Sequence, residues 1–354
     1  MVRTKDELKL LQNLPLEIKI AKTKLRIREW VNYFGVDGVF VSFSGGKDST
    51  VLLHIVRQMY PNVEAVFVNT GLEYPEIQKF VKTWDNVTIL RPQMRFDEII
   101  KKYGYPIISK EVSECVYQGR IALQNNAKKY SYRLKMLLGV AKDKNGNKSL
   151  FNKEKYQPLL YTDFVCGHHC CNVMKKRPVK AYAKKTGKHQ ITGQMADESQ
   201  LRTQQWLKNG CNGFDMKRPT SNPMSFWTEQ DVLKYIKQYN VPIASVYGDI
   251  VYANDPEQMR IDELLNDYSD TEKLTTTGCK RTGCIFCAFG CHLENEPSRF
   301  QMLKQTHPKQ YAYCIGGGEF NDQEIWQPSK EGLGMGYVFD RLNEIYGDGF
   351  IKYK

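Results

Sequence analysis

The stretch that most restricts the fold runs from Gly38 to Val56. Gly38-Val39-Phe40-Val41-Ser42 is a short run of β-formers, and Val51-Leu52-Leu53-His54-Ile55-Val56 is an apolar run that suits a helix. Between them lies FSGGKDST, Phe43 to Thr50. Adjacent Gly45 and Gly46 permit positive φ and close backbone approach. Asp48, Ser49 and Thr50 suit a helix entry. Free N–H groups at a helix start, with the dipole, attract anions. The stretch therefore reads as a phosphate loop, although it matches neither G-x-x-x-x-G-K-[ST] nor G-x-G-x-x-G. An ordinary tight strand–helix turn has no packing use for the lysine and the hydroxyls.

The flanking pattern extends this unit into a sheet. Residues 5 to 33 read as helical, with Leu8, Leu11, Leu14, Ile18, Ile20 and Leu25 as the apolar set. After the loop and its helix, which runs to about Tyr60, come a strand at Val63 to Thr70, a helix opened by Pro75, and a third short strand, VTILRP. This alternation predicts an α/β fold: a parallel twisted sheet with helices on both faces. Ligands of such sheets bind at the carboxyl ends of strands, where the glycine loop lies. Residues 105 to 165 lose the rhythm and read as a basic insertion. The sheet resumes at Lys188 to Gly193, and WTEQDVLKYIKQY is a helix capped by Thr228 with Asp231 three residues on. The expected organisation is an N-terminal helical segment (1–35), a nucleotide-binding α/β domain (36–250), and a cysteine-containing region, mostly helical or irregular (251–354).

The balance of 51 basic against 39 acidic side chains, a net +12, favours an anionic partner. The excess is uneven: Lys110 to Lys155 holds eleven Lys or Arg against four Asp or Glu, and a second basic run spans Lys175 to Lys188. Tyr117, Tyr130, Tyr132 and Tyr182 interleave these runs, so tRNA or DNA joins the nucleotide as an expected partner; solvated helix faces are the plainer reading. No apolar run is long enough to span a bilayer, and the charged opening MVRTKDELKL has no signal-peptide character. A cytoplasmic location without membrane contact is expected. Ten cysteines there favour metal or redox chemistry over disulfides.

Seven of the ten fall in two clusters: Cys166, Cys170 and Cys171 in CGHHCC, and Cys279, Cys284, Cys287 and Cys291 in CKRTGCIFCAFGCH. A C-x-x-C pair puts two thiolates on one tight turn, within reach of one metal. Two arrangements compete. A zinc site would use the second cluster alone, with His292 a possible replacement; an iron–sulfur cluster would draw Cys170 and Cys171 to Cys284 and Cys287. His168 and His169 are candidate hydrogen-bond donors beside the ligands. Cys115, Cys211 and Cys314 read as packed small side chains, and His54 as a core residue.

These segments resemble, in order, the motifs of the phosphoadenylyl-sulfate (PAPS) reductase family, within the N-type ATP pyrophosphatases of adenine nucleotide alpha hydrolase-like fold. SGGKDS resembles the pyrophosphate loop, and VNTGLEYPE the second-strand segment, with Asn69 where an acid is usual. CCNVMKKRPVKAY resembles the paired-cysteine segment, ITGQMADESQLR the stretch closing over the nucleotide, NPMSFWTEQDVLKYI the helix that follows, and TGCIFC the second cysteine pair. The resemblance implies that Ser42, Ser44, Gly45, Gly46, Lys47, Asp48, Ser49, Thr70, Gly71, Gly193 and Arg202 hold the nucleotide, with Lys47 and Asp48 catalytic and Mg²⁺ on the phosphates. It further implies a [4Fe-4S] cluster on Cys170, Cys171, Cys284 and Cys287, zinc being the alternative.

The reductases finish in a tail carrying Glu-Cys-Gly, whose cysteine takes the sulfite; this chain ends GFIKYK, with no cysteine after Cys314. It looks closer to class members of phages and mobile elements. The expected function is an ATP-using enzyme that adenylates a substrate for sulfur transfer, with nucleic acid as one possible acceptor and the sulfur donor unspecified. The alternatives are a sulfonucleotide reductase using Cys314 or an external thiol, and a nucleotide- and cluster-dependent nucleic-acid binder without turnover.

Overall fold

The computed structural model describes residues 3–125, 131–253 and 273–354. The chain divides into two compact units that interleave along the sequence. The first contains residues 1–69, 73–91 and 178–283; the second contains 70–72, 92–177 and 284–354. The basic insertion and residues 284–354 thus belong to one unit, while residues 251–283, with Cys279, go with the other.

The first unit is built on a six-stranded sheet. Its strands are β1 (Val39–Ser42), β2 (Ala65–Val68), β3 (Val87–Leu90), β5 (His189–Ile191), β6 (Asn212–Gly213) and β7 (Thr220–Ser221), in the order β3-β2-β1-β5-β7-β6. All neighbours are parallel except β6 against β7. The chain runs outward from β1 through β2 to β3, then returns to the other side of β1 as β5. The sheet therefore has its topological switch point beside β1.

The two faces of β1 follow from strand alternation. Val39 and Val41 enter the main core with Trp30, Val51, Leu52, Ile55, Trp227 and Tyr235. That core is closed by the mutually packed helices α2 (Leu16–Phe34), α3 (Lys47–Met59) and α10 (Glu229–Tyr239). Phe40 points the other way, its ring edge-on to Tyr182 of α8 (Arg177–Thr186), with centroids 5.5 Å apart. Thr228 caps α10 reciprocally with Asp231, as its sequence predicts.

One helix expected over residues 5–33 is two, α1 (Lys5–Gln12) and α2. Proline disfavours helical backbone in the residue before it, and Pro15 stands at the break. Lys19 of α2 is buried and donates to Asp231 Oδ2 at 2.6 Å and to the Gln12 carbonyl at 2.5 Å. Asp231 Oδ2 also accepts from Thr228 N at 2.7 Å, so the pair joins two helices and a cap. Removing one partner of a buried pair strands the other charge, at a cost of about 3–5 kcal/mol. Lys19→Ala should lower the urea midpoint accordingly; a shift below about 1 kcal/mol would show that water reaches Asp231.

In the second unit a central segment carries two neighbours. Strand β4 (Ile107–Ile108) pairs in parallel with β10 (Ala288–Phe289), and just upstream Tyr105 bridges Cys166. Tyr105 N donates to Val165 O at 2.7 Å, and Gly167 N to Tyr105 O at 2.8 Å. This approach requires glycine at two points. A Cβ on Gly104, which has φ of +90°, would stand 2.2 Å from Val165 O; one on Gly167 would stand 2.3 Å from Gly104 O. The sequence after Cys166 and the sequence before Ala288 are thereby brought to the same segment.

Candidate active site

In the first unit the loop after β1 has the geometry that the sequence predicts. Gly45 has φ of +72°, and a Cβ there would lie 2.8 Å from both Ile77 Cγ2 and Val81 Cγ2. Only glycine satisfies the turn and the packing together. Ser44 N donates to Ser49 Oγ at 3.1 Å, and the two hydroxyls lie 2.9 Å apart. Ser49 and Thr50 hydroxyls both donate to Gly46 O, at 2.9 and 3.0 Å, fastening the turn to the first turn of α3. Ser42, the last residue of β1, leads into the loop.

Lys47 and Asp48 open α3; Lys47 is buried and Asp48 is half-buried. Lys47 is 3% exposed; its ammonium lies 3.0 Å from Glu229 Oε1 and 3.8 Å from Asp48 Oδ1, and donates to Lys280 O at 2.9 Å. Asp48 Oδ1 is buried without a hydrogen-bond partner. Burial raises the Asp48 carboxyl above its ordinary value, and the charges of Lys47, Arg281 and Arg202 partly offset that effect. Asp48 Oδ1 thus faces the Lys47 ammonium without accepting a hydrogen bond.

Gly193, just beyond β5, backs onto the same turn: a Cβ there would lie 3.1 Å from Asp48 O. Arg202 pairs with Glu198, and its charge reaches Asp48. Thr70 and Gly71 fall in the second unit, where Leu72 N donates to Thr70 Oγ1 at 3.2 Å and Gly71 has φ of +76°. Sequence reasoning missed Tyr247, whose hydroxyl accepts from Lys47 N at 3.0 Å and lies 2.6 Å from Thr282 Oγ1. It also missed Glu229 and the Lys280 carbonyl. These residues stand about 180 to 235 positions from the loop, and no local pattern marks them.

The second unit contains all four cysteines of the paired-motif reading. Cys170 and Cys171 Sγ atoms lie 4.0 Å apart. The hydrogen bond to Cys171, then burial and the neighbouring Cys171, Cys287 and Cys284, push the Cys170 thiol upward. Cys171 is lowered to about 6 by the hydrogen bond from Cys170, aided by Lys110, Lys175 and Lys176. Burial raises Cys284 to about 11, while Lys175 hydrogen-bonds to it; Cys287 is also raised by burial. Arg299 donates to Cys287 O at 2.9 Å. His168 and His169 stack near each other, Tyr103 and Tyr117, and neither Nδ1 has a hydrogen-bond partner.

The remaining cysteines behave differently. Cys291 Sγ donates to Ala288 O at 3.0 Å, and Cys166 is buried with its thiol pushed up to about 12. Cys279 belongs to the first unit, where Tyr74 hydrogen-bonds to it. Among the described residues no group of three or more His, Cys, Asp or Glu side chains has the geometry to hold a single metal ion. Cys314 is the packed side chain that its sequence reading expects, which narrows the reductase alternative. It is fully buried, 3.5 Å from Met335 Sδ, with burial raising its thiol well above the ordinary value. A thiol so enclosed is not the attacking group of a reductase.

The sheet, its switch point and the loop define a nucleotide-type α/β fold, and the comparisons agree. Residues 38–118 and 120–289 match the phosphoadenosine phosphosulfate reductase domain, and the chain belongs to that family. It is 25% identical over 261 residues to sulfate adenylyltransferase subunit 2 of Shewanella sp. (strain ANA-3), covering 69% of this chain and 74% of that one. It is 23% identical over 226 residues to adenosine 5′-phosphosulfate reductase of Staphylococcus haemolyticus, covering 64% and 72%. A 70-residue stretch is 37% identical to an uncharacterized protein of Methanocaldococcus jannaschii, and spans 17% of its length. Among solved structures, a PAPS reductase from Candida auris aligns with a TM-score of 0.36 at 14% identity, covering 69% of this chain and 91% of that one. No described helix is long and apolar enough to cross a membrane.

Proposed function

We propose that the chain binds an adenine nucleotide by its phosphates at Ser44–Ser49 and transfers the adenylyl group to an acceptor that then receives sulfur. The observation that carries this reading is the loop itself: a turn only glycine can make, with Lys47 buried and Asp48 half-buried at the start of α3. Lys47 offsets phosphate charge as a positioned point charge. The unpartnered Asp48 Oδ1 suits a ligand of the accompanying Mg²⁺. In the transfer, a nucleophile bonds to the α-phosphorus while the bond to the bridging oxygen breaks, and that electron pair leaves on pyrophosphate. Lys47 and the α3 N–H groups stabilise the developing charge.

Cys170, Cys171, Cys284 and Cys287 are the residues that would hold a [4Fe-4S] cluster. All four lie in the second unit, the Cys170 and Cys171 sulfurs are 4.0 Å apart, and Lys175 hydrogen-bonds to Cys284, so an anionic sulfur set would have a cation beside it. Each thiolate of such a cluster binds its own iron, so the four need not form a single-ion site. When bound, the cluster supplies electron-transfer and sulfur-ligating chemistry. Sulfonucleotide reduction is the second reading, supported by the relative named as a reductase. Because Cys314 is buried, it would need an external thiol.

The test joins binding to product analysis. Lys47→Ala should weaken Mg·ATP binding about tenfold or more in calorimetry, the scale of one charge-assisted hydrogen bond, while Lys9→Ala on exposed α1 should not. Equal affinities for wild type and Lys47→Ala would remove the phosphate-loop reading. Release of AMP and pyrophosphate from ATP supports adenylyl transfer; release of sulfite from an activated sulfate supports the second reading.

A further inference from the structure

Lys280, Arg281 and Thr282 lie against the phosphate loop within the first unit. Lys280 takes the Lys47 ammonium on its carbonyl at 2.9 Å. Thr282 Oγ1 lies 2.6 Å from the Tyr247 hydroxyl, which accepts from Lys47 N at 3.0 Å. The approach to the glycine turn is equally close. A Cβ on Gly46 would meet Ser44 Oγ and Tyr247 Oη at 3.3 Å and Thr282 Oγ1 at 3.4 Å. Tyr247 is therefore a pin: one buried hydroxyl holds both the start of α3 and the strap.

Arg281 is the member of the strap without a stated task. It is exposed and forms no ion pair with a carboxylate among the described residues. Its charge nevertheless reaches both Asp48 and Arg202. Its chain neighbours Lys280 and Thr282 both touch the groups that hold the start of α3, which sets Arg281 beside the phosphate-type turn. Among the described residues only Glu198 pairs with either guanidinium, that of Arg202. Like charges at a helix start are repulsive until an anion arrives, and guanidinium geometry matches phosphate oxygens.

We propose that Arg281 is a phosphate-binding residue of this loop, carried on the Lys280–Thr282 strap that Tyr247 fastens in place. This rests on the nucleotide reading above and adds a residue from a distant part of the chain. It also specifies the ligand: a group with more than one phosphate, because Lys47 and the α3 start already serve one. Arg281 and Arg202 together would take the outer, most charged end of a triphosphate. The strap leads directly into Gly283, where a Cβ would meet nothing within 4 Å, and then into Cys284.

Calorimetry on the full chain with ATP and with AMP, each with Mg²⁺, tests it. Arg281→Ala should weaken ATP binding about tenfold or more while leaving AMP binding unchanged; Arg281→Lys, which keeps the charge, should recover part of the loss. Tyr247→Phe should weaken ATP several-fold, because the strap loses its pin. Three results overturn the proposal: wild-type ATP affinity in Arg281→Ala, equal losses for ATP and AMP, or an unaffected Tyr247→Phe. If Lys47→Ala still loses ATP binding in that same series, the nucleotide reading stands and only the strap assignment falls. If Lys47→Ala binds normally as well, both fall.

Discussion

Cys171→Ser should abolish iron binding, whereas Cys211→Ser should leave it intact. Wild-type protein purified without oxygen is expected to be brown, to absorb broadly in the visible, and to contain about four irons per chain. Cys171 is half of the adjacent pair, its sulfur 4.0 Å from that of Cys170, with Lys110, Lys175 and Lys176 contributing positive charge around it. Serine offers a far weaker ligand for iron. Cys211 makes a suitable control because it lies in the first unit, buried, with the Ser225 hydroxyl 3.3 Å away. Iron and acid-labile sulfide are measured on both variants beside wild type. Stoichiometric zinc with no iron in wild type would overturn the assignment. Retention of full iron by Cys171→Ser, with loss in Cys279→Ser or Cys291→Ser, would move the centre to the second cluster.

What the sequence made legible was local. The run from Val39 to Met59 carries its strand, turn and helix in contiguous residues, and Gly45 announces its positive φ by identity alone. The Thr228–Asp231 cap is equally local. Pairing between distant segments was not legible. Nothing in Tyr105 or Cys166 says that their backbones will bridge, though the glycines at 104 and 167 are the trace that such a close approach leaves. The interleaving of the units is hidden for the same reason: residues 92–177 and 284–354 share a unit through contacts that neither stretch encodes alone. Around the loop, Lys47 was readable from its motif, but the groups holding it, Glu229 and the Lys280 carbonyl, come from other segments.

Nucleic-acid binding, if the basic segment serves it, should fall steeply with salt, and the structure changes which residues carry the test. Lys128 and Lys129, prominent in the sequence, and Tyr130 lie outside the described residues. Arg133 is half-buried, its guanidinium 3.8 Å from Met136 Sδ. Arg120 spends its guanidinium on the carbonyls of Phe164 and Thr162, and Lys153 pairs with Glu111 at 3.0 Å. Lys148 pairs with Glu154. Lys135, Lys142 and Lys144 are exposed and pair with no carboxylate among the described residues; Lys110 and Lys155 share that property but act on Cys171 and on the Tyr156 and Phe350 rings. Each phosphate contact releases counterions, and a site with six or more contacts loses about a thousandfold in affinity between 50 and 200 mM salt. Exchanging Lys135, Lys142 and Lys144 together for glutamine should flatten the log–log salt slope by about two to three for duplex or tRNA. Because all three side chains are exposed, the fold should be undisturbed. Fluorescence anisotropy with labelled tRNA and duplex DNA reads the slope directly. Absence of binding at low salt, or a slope unchanged by the triple substitution, would show that this surface serves another purpose. Nucleic acid would then drop out as the acceptor, and a small anionic acceptor would take its place.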